Sequence, residues 1–400
     1  MNLKIVHHQK VFLLNLLKTT KSISMIPPKI LLSPPHMGGT EQEYIAQAFQ
    51  DNWIAPVGPQ LNQFERQLET YFEGFCVTAL NSGTAAIHLG LQLLGVGTND
   101  EVLCQSLTFV ASVNPVVYLG AQPVFVGSES DTGNMCPIAL EAAIKNRIQH
   151  NKLPKALLVV HLYGMPAKID ALMEVANRYQ IPVLEDAAEA LGSRYKGQLC
   201  GTFGTVSVLS FNGNKIITTG GGGALLTRTP QEKEKSIFWA TQSKENTPHY
   251  EHKEIGYNYR MSNIAAAIGS GQLTVLEDRI RARRNNHQEY AKRLTDLPHV
   301  QLLSAPSSDF YSNYWLNVIV LPSLAQREAL RLYLEKKHIE SRPVWKPMHL
   351  QPLYQECLYF GNDCAADLFA RGLCLPSGSA LSEAAFQHLQ NTFDLFFRNA

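Results

Sequence analysis

The chain has 400 residues, 45% of them hydrophobic and 17% charged, with a formal net charge of +1. This is a globular composition with room for a large core and two domains, and it carries no basic surplus for nucleic acid or an acidic membrane surface. Its seven cysteines are scattered without a C-x-x-C pair, which argues against a disulfide framework or zinc site and for a reducing, cytoplasmic setting.

In chain order, residues 1–24 contain a short apolar run (11–17) followed at once by Lys18 and Lys21, with no small-residue cleavage site. The run is too short to span a bilayer. Residues 1–24 are therefore read as an extension that is disordered or loosely docked, with Met25 a candidate start. Residues 30–59 read as a Pro- and Gly-rich loop containing one helix, 41–49, and the stretch from Asn52 to Pro59 is a stiff loop bearing Trp53. A helix is expected over 61–71.

Strands then follow at 76–80, 102–106, 123–126, 156–161, 182–185, 206–211 and 224–227, with helices at 84–94, 138–146 and 169–179 between several of them. Short apolar strands alternating with helices predict an α/β fold, a largely parallel seven-stranded sheet covered on both faces. In such a sheet ligands bind beyond the carboxyl ends of the strands. The expected large domain is 25–240. A smaller α+β domain, 241–400, is expected to hold one long helix over 261–294 capped by Ser262 or Asn263, a strand at 315–321, a helix at 324–337 and a Pro-, Trp- and His-bearing loop at 342–352.

Three stretches carry chemistry. Asn81-Ser82-Gly83-Thr84 joins a strand to a helix, so free amides and the Thr84 hydroxyl could receive an anion; Ser-Gly-Thr is also a common helix cap. Asp186 ends the apolar strand 182–185, where a buried carboxylate needs a cation such as a pyridinium nitrogen; it could equally cap the next helix. Lys215 stands between apolar strands in the stretch from Ser210 to Thr219, before four glycines, Gly220 to Gly223, with no acidic residue beside it. A Walker-type loop is excluded because no hydroxyl residue follows the lysine, and no glycine-rich dinucleotide fingerprint follows the first strand. A Schiff-base lysine, its amine neutral through desolvation or a nearby cation, fits best.

With these residues in view, the chain from about residue 30 onward resembles the DegT-type, pyridoxal phosphate-dependent nucleotide-sugar aminotransferases, which have the aspartate-aminotransferase-like fold (fold type I). The resemblance rests on Asn52-Trp53-Ile54-Ala55-Pro56, Ser106-Leu107-Thr108-Phe109-Val110-Ala111-Ser112, Glu185-Asp186-Ala187-Ala188-Glu189-Ala190 and residues 210–219. It extends through Gly256-Tyr257-Asn258-Tyr259-Arg260-Met261-Ser262-Asn263 and Ser341-Arg342-Pro343-Val344-Trp345-Lys346-Pro347-Met348-His349-Leu350. It is strongest to the branch acting on UDP-linked 4-keto-6-deoxy-N-acetylhexosamines in bacillosamine-type pathways, with glutamate as amino donor; a GDP-perosamine-type enzyme is the nearest rival.

The resemblance implies that Lys215 forms the Schiff base and moves protons, that Asp186 pairs with the pyridine nitrogen, and that Phe109 stacks on the ring. Gly83, Thr84 and Ser210 are implied to hold the phosphate, with Asn258 supplied by the neighbouring subunit of a homodimer. Glu189 stands near the phenolic oxygen where many relatives have Gln, a feature similar to the 4-aminating branch. Arg342 and His349 are implied substrate contacts, with Trp53 and Trp345 as further pocket candidates. Gly220 departs from the Ser common in relatives. The intact set of Lys215, Asp186 and Phe109 disfavours a non-catalytic, pyridoxal phosphate-binding regulatory relative, and the missing glycine fingerprint disfavours an NAD-linked sugar dehydrogenase.

Overall fold

The computed structural model describes residues 29–295, 297 and 299–398. The expected extension, 1–24, and the candidate start Met25 lie outside the described residues. All seven expected strands form, within a residue or two of the expected limits, because each is a short apolar run that is buried almost throughout. They join an eight-stranded sheet in the order Cys76–Leu80, Gly223–Thr227, Val206–Ser210, Val183–Asp186, Ala156–Val160, Glu101–Gln105, Gln122–Val126, Tyr359–Phe360.

From Val206–Ser210 to Tyr359–Phe360 every pairing is parallel; Gly223–Thr227 is antiparallel to both of its neighbours. The eighth strand is the difference from the seven expected. It is two residues long and arrives from far along the chain, too short to leave a periodic pattern. A four-stranded antiparallel sheet holds Gln301–Leu302, Asn317–Val320, Gly372–Leu375 and Arg342–Pro343.

Helices cover both faces of the large sheet, as its two-sided burial requires. On one face Gly83–Leu93 lies against the strands Val206–Ser210 and Gly223–Thr227, and its Gly90 faces the side chains of Leu184 and Leu225. On the other, Leu140, Ala143 and Ile144 of Pro137–Gln149 and Leu172 of Ile169–Arg178 pack with Leu103, Leu157 and Val183.

The single helix expected over 261–294 is two helices, Asn263–Leu273 and Leu276–Leu294. Val275 leaves helical geometry (φ −112°, ψ 11°), the Thr274 hydroxyl donates to the Gly271 carbonyl at 2.6 Å, and Val275 packs against Gly38. The break lets the first helix pack along Glu41–Gln50 and Pro59–Tyr71 while the second turns toward the small sheet. Ser262 is the cap, its side chain accepting the Ala265 N–H. The strand expected at 315–321 is shorter, Asn317–Val320, because the residues before it turn toward the cavity described below.

Leu184 is fully buried at the centre of the large sheet. Replacing it with Ala removes its packing and leaves a cavity, so Leu184→Ala should lower unfolding free energy by about 2–5 kcal/mol in urea titration.

Candidate active site

Beyond the carboxyl ends of the parallel strands lies a cavity of about 870 Å³. Its lining brings together Gly83, Thr84, Phe109, Asp186, Glu189, Ser210, Lys215 and Arg342 from widely separated parts of the chain.

Asp186 is the last residue of its strand and is only 4% exposed. Alternation along the strand turns the adjacent carboxylates to opposite faces. Asp186 enters the cavity, whereas Glu185 is buried away from it. There Glu185 accepts N–H bonds from Gly201, Phe203 and Gly204 and faces His161 Nε2 at 2.7 Å. Burial would raise the Glu185 carboxyl, but His161 and these backbone donors hold it below its ordinary range. Asp186 has fewer compensations. Its Oδ2 accepts the Ser112 hydroxyl at 2.7 Å and its Oδ1 the Ala188 N–H at 3.1 Å. Burial pushes its carboxyl above the ordinary range despite those bonds and the nearby Lys215 charge.

Glu189 is also 4% exposed. One of its oxygens lies 3.2 Å from Lys215 Nζ and the other accepts the Tyr163 N–H at 2.7 Å. Burial raises its carboxyl too, opposed mainly by Lys215. The Lys215 amine sits 4.0 Å from the centroid of the Trp315 ring, which covers it on one side. The turn that carries the lysine follows the Val206–Ser210 strand, and the Lys215 N–H donates to the Asn212 carbonyl at 3.0 Å.

The helix Gly83–Leu93 points its N-terminus into the cavity. Ser82 is its cap, accepting the Ala85 N–H at 3.1 Å, so the cap reading and the anion-site reading of this stretch are compatible. The glycines here are required by close approach. A Cβ on Gly83 would stand 3.1 Å from Ser210 Cβ, and one on Gly223 would stand 2.5 Å from the Gly83 nitrogen. Small residues thus bring the Ser210 hydroxyl under the helix amides. His88 is a packed helix residue, with Nδ1 3.2 Å from the Tyr259 hydroxyl.

Phe109 is 50% exposed at the cavity, its ring 5.4 Å from that of Trp345. Trp345 lines the cavity and packs on Tyr163 at 4.7 Å. Arg342 lies in the lining, held to Glu340 at 3.0 Å.

Three residues stand outside this chain's cavity: His349 and Trp53, expected as substrate contacts, and Asn258, expected to serve the neighbouring subunit's site. His349 is outside the lining, stacked on Tyr359 at 3.8 Å with Nδ1 2.6 Å from the Ser106 hydroxyl. Trp53 is outside it on an exposed loop. Asn258 is exposed and outside it, its carbonyl accepting the Asn81 side-chain amide at 3.1 Å.

The sequence alone does not reveal the roles of Ser112, Tyr163 and Trp315, or that residues 31–34 line the cavity. Ser112 closes the stretch from Ser106 to Ser112, and nothing along the chain pairs it with Asp186, 74 positions away. Tyr163 sits at φ 54°, a strained backbone position for a non-glycine that aims its N–H at Glu189.

Among the described residues no helix is long and apolar enough to cross a membrane. Residues 35–394 match the DegT/DnrJ/EryC1/StrS aminotransferase family. The chain is 47% identical to EpsN of Bacillus subtilis (strain 168), named provisionally as a pyridoxal phosphate-dependent aminotransferase, over 89% of this chain and 92% of that protein. It is 38% identical to the GDP-perosamine synthase of Escherichia coli O157:H7, over 91% and 97% of the two chains. A DegT DnrJ EryC1 StrS aminotransferase from Brucella abortus superposes with a TM-score of 0.83 at 30% identity, covering 89% of this chain and 95% of that one. The chain belongs to the DegT/DnrJ/EryC1/StrS aminotransferase family and is a pyridoxal phosphate-dependent aminotransferase of fold type I.

Proposed function

We propose that the enzyme moves an amino group from L-glutamate to the 4-keto carbon of a UDP-linked 4-keto-6-deoxy-N-acetylhexosamine, in amino-sugar biosynthesis for surface glycans. The observation that carries the amino-transfer reading is the meeting of Asp186, Glu189 and Lys215 in one cavity, under a helix N-terminus; the UDP-linked sugar rests on the motif resemblance. These residues fit pyridoxal phosphate. Among the described residues no cation contacts the buried Asp186 carboxylate directly, so it suits a ring nitrogen; the amides of Gly83 and Thr84 with the Ser210 hydroxyl suit a phosphate; the half-exposed Phe109 ring suits a flat face.

When bound, the cofactor supplies an aldehyde that condenses with amines and a ring that draws electrons from the carbon losing its proton. Lys215 Nζ takes the proton from the donor's Cα and delivers one to the former ketone carbon of the sugar. Glu189, 3.2 Å away, accepts a hydrogen bond from that amine and steadies it. Asp186, positioned by Ser112 and the Ala188 N–H, holds the ring nitrogen's proton. Arg342 meets an anionic group of donor or nucleotide sugar.

Asn258, exposed on its own subunit, is proposed to reach the phosphate of a second copy, making a homodimer with shared sites. His349 and Trp53 stand outside this chain's cavity and drop behind Arg342 and Trp345 as substrate contacts. A GDP-linked 4-keto sugar is the competing substrate, favoured by the similarity to GDP-perosamine synthase.

Incubating the enzyme with glutamate and matched UDP- and GDP-linked 4-keto-6-deoxy sugars decides between them. Amination confined to the GDP sugar would overturn the preferred substrate. Lys215→Ala should fold, lose the visible absorbance of the wild-type cofactor complex and drop kcat by about 10²–10⁴-fold or more; retained turnover would remove Lys215 from the chemistry.

Asp186 gives a stability test in cofactor-free protein. Its folded-state carboxyl is raised, so the folded form holds its proton to higher pH, and stability falls as pH rises from the usual carboxylate range near about 4 through the raised value. Asp186→Asn lacks that loss. It should therefore be the more stable cofactor-free protein near neutral pH, by about 1 kcal/mol or more, with the gap closing on acidification in urea titrations. The same variant should turn over far more slowly when loaded.

A further inference from the structure

Arg283 lies on the helix Leu276–Leu294 and is 1% exposed. A guanidinium so deeply buried normally meets a carboxylate, because its desolvation is costly. Among the described residues Arg283 has none within ion-pair distance. Its Nη1 donates to the carbonyls of Trp315 at 2.7 Å and Ser377 at 3.2 Å, its Nη2 donates to the Ser33 hydroxyl at 3.0 Å, and its Nε is buried without a hydrogen-bond partner. Burial, with the charge of Arg279 adding to it, pushes the guanidinium down to about 9.

Two of these contacts lead to one atom. The Ser33 hydroxyl accepts from Arg283, so its own proton is free to be given onward, and it donates to the Asn214 carbonyl at 2.7 Å. Trp315, held by its carbonyl on the same guanidinium, donates its indole N–H to the same Asn214 carbonyl at 2.6 Å. That carbonyl belongs to the peptide joining Asn214 to Lys215. The Trp315 ring is the one lying 4.0 Å from the lysine amine. The guanidinium thus sits one hydrogen bond from both the strap that braces the lysine's backbone and the ring that covers its amine.

We infer that Arg283 is a positioning residue for Lys215, fixing the Asn214–Lys215 peptide through Ser33 and Trp315 so that the amine is presented to the cavity beside Glu189. The inference rests on the proposed role of Lys215 as the amine that moves the proton. Arg283 does not itself line the cavity. A planar donor suits the task, since one side chain reaches a carbonyl on one side and a hydroxyl on the other while its stiffness fixes the angle between them. Proton transfer is sensitive to misplacement on the scale of an ångström, which gives such bracing a kinetic consequence.

The test uses Arg283→Gln, Arg283→Lys and Ser33→Ala, read in two ways. In the cofactor-loaded enzyme, Arg283→Gln should lower kcat by about 10- to 100-fold while KM for glutamate changes less than about twofold, Ser33→Ala should lower kcat in the same sense by less, and Arg283→Lys should recover part of the loss. In cofactor-free protein, mass spectrometry of acylation by acetic anhydride should show Lys215 labelling several-fold altered in Arg283→Gln and Ser33→Ala, with surface lysines unchanged.

Folded variants with wild-type kcat and wild-type Lys215 labelling would overturn the inference. So would loss of thermal stability alone, because a merely structural tie moves neither readout. If Arg283→Gln fails to fold, Ser33→Ala decides, and wild-type behaviour there overturns the relay. Lys215→Ala run alongside separates the two levels. Retained turnover in that variant overturns the underlying role of the lysine; its loss beside unchanged Arg283 and Ser33 variants overturns only the positioning role.

Discussion

Two carboxylates buried within the reach of one amine set the terms for the whole molecule. Asp186 and Glu189 are each held in a site that water barely reaches, and burial raises both. Such groups persist only if something else in the fold meets their oxygens. Glu189 is met by the Tyr163 N–H and Lys215, and Asp186 by Ser112 and the Ala188 N–H, with no cation in contact. Under the proposed assignment, a cationic ring nitrogen would be the contact that Asp186 lacks. A fold that gains that contact only when loaded couples cofactor binding to stability.

The rest of the architecture delivers those groups. Parallel strands end together, so residues from chain positions far apart arrive at one edge. The antiparallel placement of Gly223–Thr227 brings its first glycine against the start of the helix Gly83–Leu93, and small residues at that crossing let the Ser210 hydroxyl sit beneath the helix amides. Across the cavity, Ser312, Asn313 and Trp315 form a second scaffold. Asn313 donates to the carbonyls of Glu189 and Leu191, Ser312 donates to Gly164, and Trp315 reaches the turn before Lys215. One short stretch therefore ties the carboxylate loop, the Tyr163 turn and the lysine turn together.

Much of this was legible along the chain, for identifiable reasons. The seven apolar strands announce themselves because a strand buried on both faces is a run of apolar residues. The N-terminus at Gly83 follows from strand, Ser-Gly-Thr, helix. The lysine stands out by its glycine-rich setting. The break at Val275 was not legible, since Thr and Val are tolerated within helices and only contacts with Gly38 and Gly271 select the bend. His349 shows the converse, a residue whose place only packing reveals. A histidine in a Pro- and Trp-rich loop reads as a substrate contact, yet ring stacking on Tyr359 and a bond to Ser106 hold it outside the cavity.

Residue pattern alone marks the seven long strands, the anion-ready helix start, the lysine and the strand-end aspartate. These are local properties, since periodicity, capping and residue type act over a few positions. Long-range packing alone selected Ser112 as the partner of Asp186, the Tyr163 N–H as the partner of Glu189 and the Trp315 ring as the cover over the amine. It alone joined Arg283 to the lysine turn through Ser33, across a separation of 250 positions. Such contacts depend on sheet order and helix bending, which sum interactions over the entire chain, so no single stretch encodes them.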